Sequence, residues 1–203
     1  MIHVAQMEGV WTVTIDRPDK ANSLTRAMLS QIADAAEDAG RASAQAFVLR
    51  GRGKVFSAGA DLDEARAGLA IDPVWERLSG AVAALPCLTI AALNGTLAGG
   101  AMGMVLACDL RIAVAEAKVF YPVMKLGFLP QPSDPKRLVA LVGPARAKMI
   151  LMAGQKIGAA EAMAWGLIDR IVAPEDMDAT IEALVADVRA AKPAHVAGIK
   201  ALI

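Results

Sequence analysis

The sequence predicts an α/β fold built as one domain. Strand-like and helix-like stretches alternate along the chain, 56% of its residues are hydrophobic, and no linker or low-complexity run divides its 203 residues. A chain of this length fits one domain with a sizeable core, and such alternation is the mark of α/β architecture.

Each element has its own local reason. Val10–Ile15 is apolar and β-branched, a strand ended by Arg17-Pro18-Asp19-Lys20. From Thr25, Met28, Leu29, Ile32, Ala35 and Ala36 recur at helical spacing until near Gly40. Ala46–Leu49 is a short buried strand, Gly51 and Gly53 make a turn, and Phe56 to Asp61 is a tight loop of small residues. A helical segment over Val74 to Leu85 precedes a strand at Leu88–Leu93, a turn at Asn94-Gly95 and a helix from Gly99 to Ala107. Leu110–Ala115 and Lys118–Tyr121 are strands. Pro135–Leu141 is a helix after a cap at Asp134, and Pro144–Met152 is another with proline at its first position. Ala159–Trp165 ends on Gly166, a suitable left-handed cap; Ile168–Val172 is a strand and Met177–Ala191 a helix.

Composition narrows the function. The 21 basic and 21 acidic residues balance, and no basic cluster offers a nucleic-acid surface. Cys87 and Cys108 lie in apolar runs and read as reduced and buried in a cytoplasmic protein, not as a disulfide framework. His3 and His195 are too far apart in sequence to suggest zinc, so no metal is expected. The first residues lack the basic-then-apolar order of a signal peptide. Leu78 to Cys108 carries no charge and could span a bilayer by length, but Pro86, Asn94-Gly95 and Gly99-Gly100 cut it into pieces of strand and helix length. No membrane partner is expected.

Two stretches share a design. In Ala58-Gly59-Ala60-Asp61 and in Ala98-Gly99-Gly100-Ala101, small residues lead through a turn into a helix. Free backbone N–H groups and the positive end of the helix dipole point outward at such a place, and a small side chain lets a ligand approach the backbone. Two such donors on one oxygen make an oxyanion hole, worth ~3–4 kcal/mol per donor. Either loop alone also reads as a packing requirement.

Taken in order, "TVTIDRPDKANSL", "FVLRGRGKVFSAGADLDE", "AALNGTLAGGAMGMVLACDLRIA" and "IGAAEAMAWGLIDRIV" resemble the crotonase (enoyl-CoA hydratase/isomerase) superfamily through nearly the whole chain. The resemblance implies a crotonase-like spiral of ββα units, assembly as a homotrimer or dimer of trimers, and an acyl-CoA thioester carbonyl held by two backbone N–H groups. Carried onto this sequence, those groups belong to Ala60 and Gly100, with nitrogens roughly 4–6 Å apart if both reach one oxygen. Ala58 and the segment from Ala60 through Asp61 and Leu62 to Asp63 would lie along the coenzyme A moiety, and Leu24 would flank its pantetheine. Coenzyme A would enter as part of the substrate, with no separate cofactor. Asp61 also reads as a cap for the helix after it.

The resemblance also exposes a gap. Hydratases of the superfamily use two glutamates; the matching positions here are Gly103 and Val123, and neither can move a proton. Ordinary hydration is therefore expected to be weak or absent. In "YPVMKLGFLPQPSD" the candidates are Tyr121, Lys125, Gln131, Ser133 and Asp134. Asp134 is the only carboxylate among them and the candidate acid or base, although before Pro135 it also reads as an N-cap, with Ser133 offering the same chemistry. Tyr121 reads as strand packing, Lys125, Asp63 and Glu64 as solvated, and Cys108 as core. "PAHVAGIKALI" resembles a penultimate helical stretch, beyond which the superfamily carries a further helical extension that these residues lack; Lys200 reads as a basic group at a helix end. Three functions stay open: an acyl-CoA enzyme of the lyase or isomerase kind stabilising a thioester enolate, a non-catalytic acyl-CoA binder, or a structural subunit of a hetero-oligomer.

Overall fold

The computed structural model describes all 203 residues. In chain order the elements are β1 (Ile2–Met7), β2 (Val10–Ile15), α1 (Arg26–Arg41), β3 (Ala46–Gly51), β4 (Val55–Ser57), α2 (Leu62–Arg66), α3 (Val74–Ala83), β5 (Leu88–Leu93), β6 (Thr96–Ala98) and α4 (Met102–Leu106). They continue with β7 (Leu110–Val114), β8 (Lys118–Phe120), α5 (Val123–Leu126), α6 (Asp134–Leu151), β9 (Ile157–Gly158), α7 (Ala159–Ala164), β10 (Arg170–Val172), α8 (Met177–Ala190) and α9 (Pro193–Lys200).

Two sheets organise the chain. The larger has strand order β1-β2-β3-β5-β7-β10, the smaller β4-β6-β8-β9. Consecutive strands alternate between them: β3 then β4, β5 then β6, β7 then β8, and a helix follows each pair. This is the expected spiral of ββα units. The larger sheet is parallel except for the β1–β2 hairpin, and the smaller except for β8–β9.

The foreseen strands β2, β3 and β5 supply much of the core. Val13, Ile15, Phe47, Leu49 and Ile90 are fully enclosed between the larger sheet and its helices. The helix foreseen from Thr25 begins there, and the Thr25 hydroxyl accepts from the Met28 N–H at 3.2 Å. Its buried face, Met28, Leu29, Ile32, Ala36 and Ala39, packs on α3. The charge-free stretch from Leu78 to Cys108 is divided among α3, β5, β6 and α4, and no helix is long and apolar enough to cross a membrane. Gly143, with φ 78° and ψ 165°, breaks α6 just before Pro144, where the second helical piece was expected to start.

Four strands were not foreseen: β1, β4, β6 and β9. β1 is an exposed edge strand with no apolar face, and its conformation comes from the ladder to β2, closed by Glu8 and Gly9 at φ 48° and 79°. β4, β6 and β9 are two or three residues long, too short for any period to show.

Lys200 is not a merely exposed end. Its Nζ donates to the Cys87 carbonyl at 2.8 Å and to Asp109 Oδ2 at 2.7 Å, tying α9 to the start of β5 and the end of α4. Cys87 and Cys108 are buried free thiols, as expected.

Candidate active site

The two small-residue loops follow β4 and β6, neighbouring parallel strands of the smaller sheet. That pairing brings them side by side. Gly59 has φ +90°, and a side chain there would stand 2.9 Å from the Ala98 carbonyl oxygen and 3.5 Å from the Gly100 nitrogen. Glycine is therefore required both for the turn and for the contact between loops.

The first loop is braced from beneath by "RPDKANSL". The Leu24 N–H donates to the Gly59 carbonyl and the Asp61 N–H to the Leu24 carbonyl, both at 2.8 Å, so Leu24 and Ala60 form a one-residue parallel bridge. Leu24 itself is fully buried. It holds the loop by its backbone from behind, and its side chain belongs to the core. Asn22, also buried, donates to the Val55 carbonyl at 2.7 Å and accepts from the Arg17 N–H at 2.8 Å. The Ser57 hydroxyl donates to the Asn22 carbonyl at 2.8 Å and accepts from the Gly59 N–H at 3.1 Å. Asp61 caps α2 through its Oδ1, which accepts from the Asp63 N–H, while its Oδ2 accepts from Arg17 at 2.8 Å. Those bonds hold its carboxyl below the usual range, Arg17 contributing most. Arg17, Asn22 and Ser57 were not singled out from the sequence. Their signal was their place inside the quoted motifs.

The loops open on a cavity of about 140 Å³. Its walls include Ala58, Ala60, Leu62, Gly99, Gly100, Trp75, Tyr121, Val123, Phe128 and Gln131. The Ala60 N–H has no hydrogen-bond acceptor in the chain. The Gly100 N–H lies in the first turn of the short helix Gly99–Ala101, where no intrahelical acceptor exists. Trp75 backs Gly100: a side chain at that glycine would meet its ring at 3.2 Å. The Trp75 indole is fixed by donating to the Leu69 carbonyl at 2.8 Å. Asp63 and Lys125 face solvent as expected, whereas Glu64 accepts from the Arg26 N–H at the start of α1.

No carboxylate is among the cavity-lining residues. Asp134 lies one layer behind. The expectation of an N-cap there is overturned: Asp134 is the first residue of α6, Ser133 holds the N-cap position, and no side chain caps the helix. Ser133 is instead engaged by Glu76, whose Oε1 accepts from its N–H and its hydroxyl at 3.1 and 2.9 Å. The Asp134 side chain turns inward and is 1% exposed. Its Oδ2 accepts from the Tyr121 hydroxyl at 3.0 Å, while its Oδ1 has no partner. A side chain on Gly103 would stand 2.8 Å from that Oδ1. Burial lifts the Asp134 carboxyl to about 7 against an ordinary 3.8; the Tyr121 bond and Arg137 oppose the rise and Glu76 adds to it. Tyr121, one of the candidates, was read by default as strand packing. It does pack, 4% exposed, but it also reaches the cavity wall.

Cys108 is a poor nucleophile. Its thiol donates to the Met104 carbonyl at 3.3 Å, and burial raises its pKa to about 12.

A larger polar groove of about 560 Å³ runs past His3, Asp16, Arg50, Arg52 and Asn94. Asp16 there is paired with Arg52 at 2.7 Å and lies within hydrogen-bond distance of His3 at 3.0 Å, and Arg50 is paired with Asp178 of α8 at 2.7 Å.

Comparison with known proteins places the chain. The family model described as enoyl-CoA hydratase/isomerase matches residues 5–203. The protein named probable enoyl-CoA hydratase echA6 of Mycobacterium tuberculosis is 35% identical over 172 residues, 84% of this chain and 70% of its own length. The 4-chlorobenzoyl coenzyme A dehalogenase-2 of an Arthrobacter species is 31% identical over 212 residues, 98% of this chain and 75% of that protein. Among solved structures, enoyl-CoA hydratase from Bacillus anthracis superposes with TM-score 0.88 at 30% identity, covering 97% of this chain and 79% of that one. Enoyl-CoA hydratase/isomerase from Pseudoalteromonas atlantica gives 0.91 at 28% identity, covering 99% and 81%.

Proposed function

Because the chain belongs to the enoyl-CoA hydratase/isomerase family, we propose that it binds an acyl-CoA thioester with its carbonyl oxygen between the N–H groups of Ala60 and Gly100, and that it stabilises the enolate of that thioester. One observation carries the reading: two loops far apart in sequence bring small residues with unengaged N–H groups to the wall of one cavity. Fixed backbone donors beside an apolar cavity stabilise a developing oxyanion without reorganising, which is the largest single contribution to many such reactions. Ala58 and the Ala60–Asp63 segment, with Asp61 and Leu62, form the path for the coenzyme A moiety. Leu24 contributes by bracing Ala60.

The reaction is of the isomerase or lyase kind, proceeding through proton movement at the carbon next to the carbonyl. Crotonyl-CoA hydration is slow, because Gly103 and Val123 stand where the resemblance places the hydratase glutamates; each such group is ordinarily worth ~10²–10⁴-fold. The protein works in the cytoplasm as a homotrimer or dimer of trimers. Met124, Leu126, Phe128 and Leu129, exposed on the segment that lines the cavity mouth, support burial against a neighbouring copy.

A second reading, a non-catalytic acyl-CoA binder, is favoured by the lack of a carboxylate in the cavity wall. Titration with acyl-CoA followed by mass spectrometry of an acyl-CoA panel decides. Binding with turnover supports the enzyme, binding without turnover the binder, and no binding rejects the thioester site itself.

A further inference from the structure

Tyr121 is the only titratable side chain among the residues lining the cavity. Behind it stands a carboxylate with no route of its own to the cavity, Asp134, held by the Tyr121 hydroxyl at 3.0 Å. The backbone N–H of Gln131 approaches the same hydroxyl oxygen at 3.4 Å, and Gln131 is anchored by donating from Nε2 to the Ala70 carbonyl at 2.9 Å. The room for the carboxylate comes from α4. Gly103 faces Asp134 Oδ1 so closely that a side chain at 103 would stand 2.8 Å from that oxygen and crowd the carboxylate at 134. The helix that could have presented an acidic side chain from position 103 thus yields its space to an acidic side chain from α6.

Resting on the acyl-CoA reading above, we propose that Tyr121 is the proton-transferring residue of this cavity and that Asp134 is its positioning residue and proton acceptor, the two forming a relay. The step balances as follows. The Cα–H bond of the bound thioester breaks and its electron pair moves into the enolate, whose oxygen lies between the Ala60 and Gly100 N–H groups. The released proton bonds to Tyr121 Oη while the Tyr121 hydroxyl proton passes to Asp134 Oδ2. The reverse path returns a proton to carbon, at the same position for exchange or at a conjugated position for isomerisation. The transfer is concerted, since burial and the Asp134 charge push the Tyr121 phenol above its ordinary value and disfavour a free phenolate.

The relay is pH-dependent. The groups around Asp134 are Tyr121 after β8, Glu76 from α3 and Arg137 from its own helix, while α4 offers only the uncharged Gly103. The carboxylate must be ionised to accept the proton, so the rate rises with pH to a plateau, with an inflection near pH 7.

The test is deuterium incorporation at Cα of butyryl-CoA in D₂O, read by mass spectrometry, beside calorimetric titration with the same thioester. The wild type is expected to bind and to exchange. Tyr121→Phe is expected to bind within about threefold and to lose exchange by ~10²-fold or more. Asp134→Asn is expected to keep the cavity hydroxyl, slow exchange at least tenfold and lose the inflection. If Tyr121→Phe does not fold, the loss of the inflection in Asp134→Asn carries the test, because a packing role for Asp134 would lower the rate without flattening the profile. Exchange at the wild-type rate in Tyr121→Phe, an unchanged inflection in Asp134→Asn, or a wild type that binds without exchanging would overturn the relay and leave the binding site standing. Failure of the wild type to bind rejects the thioester site, and the relay with it.

Discussion

Replacing Asp134 by asparagine should stabilise the fold at alkaline pH, an unusual outcome for a buried polar side chain. Asp134 is 1% exposed, accepts one hydrogen bond, and leaves Oδ1 unpartnered. Burial raises its pKa to about 7 in the folded chain, against 3.8 ordinarily. Below the lower value the carboxyl is protonated in both states and carries no charge penalty. Between the two values the unfolded chain has released the proton and the fold still holds it, so stability falls as pH rises. Above pH 7 the fold holds a buried carboxylate, and the full difference of about three pKa units corresponds to about 4 kcal/mol at 1.36 kcal/mol per unit. Asparagine has nearly the same volume, can accept from the Tyr121 hydroxyl and never ionises. Its amide facing Gly103 lacks a partner, which costs about 1–3 kcal/mol at every pH. The expected result is a variant about 1–3 kcal/mol more stable than the wild type near pH 9 and less stable than it near pH 4. Urea melts of both proteins across that range, followed by tryptophan fluorescence, measure the difference. A stability difference that does not change with pH, or a variant that loses ground as pH rises, would refute a buried carboxyl with a raised pKa.

Three further outcomes follow from the same geometry. Gly103→Ala should destabilise the fold by about 1–3 kcal/mol through crowding of Asp134 Oδ1, and Asp134→Ala should relieve it. A double-mutant cycle by thermal melting measures the coupling, and additive effects would show that the two positions do not touch. Cys108 should resist iodoacetamide near pH 8 in the native protein, because its thiol is buried and its pKa is raised to about 12; mass spectrometry of the intact chain reads the label. Gly59→Ala should weaken butyryl-CoA binding tenfold or more, by about 1.4 kcal/mol, since the new side chain would push Ala98 and Gly100 away from Ala60. Calorimetry reads the loss.

The parts of the fold that local chemistry dictates were readable along the chain. A β-branched run such as Val10–Ile15 suits a strand with Val13 and Ile15 on its buried face, and the apolar spacing from Met28 to Ala39 suits one face of a helix, so those elements were legible. The glycine and alanine loops at 58–61 and 98–101 were legible for the same reason: few conformations other than tight turns use so many small residues before a helix. The resemblance carried by the four quoted segments supplied their pairing. What those elements became depended on contacts between distant segments. β4, β6 and β9 exist because the spiral sets them beside one another, a cause with no trace in two or three residues. Leu24 became a backbone brace because a parallel bridge to Ala60 claims its N–H and carbonyl. Asp134 shows the limit most clearly. Its sequence before Pro135 suits an N-cap, and a cap is decided within one turn. Whether its carboxylate turns out toward the helix end or in toward Tyr121 depends on Gly103, 31 residues earlier, leaving the space into which it turns.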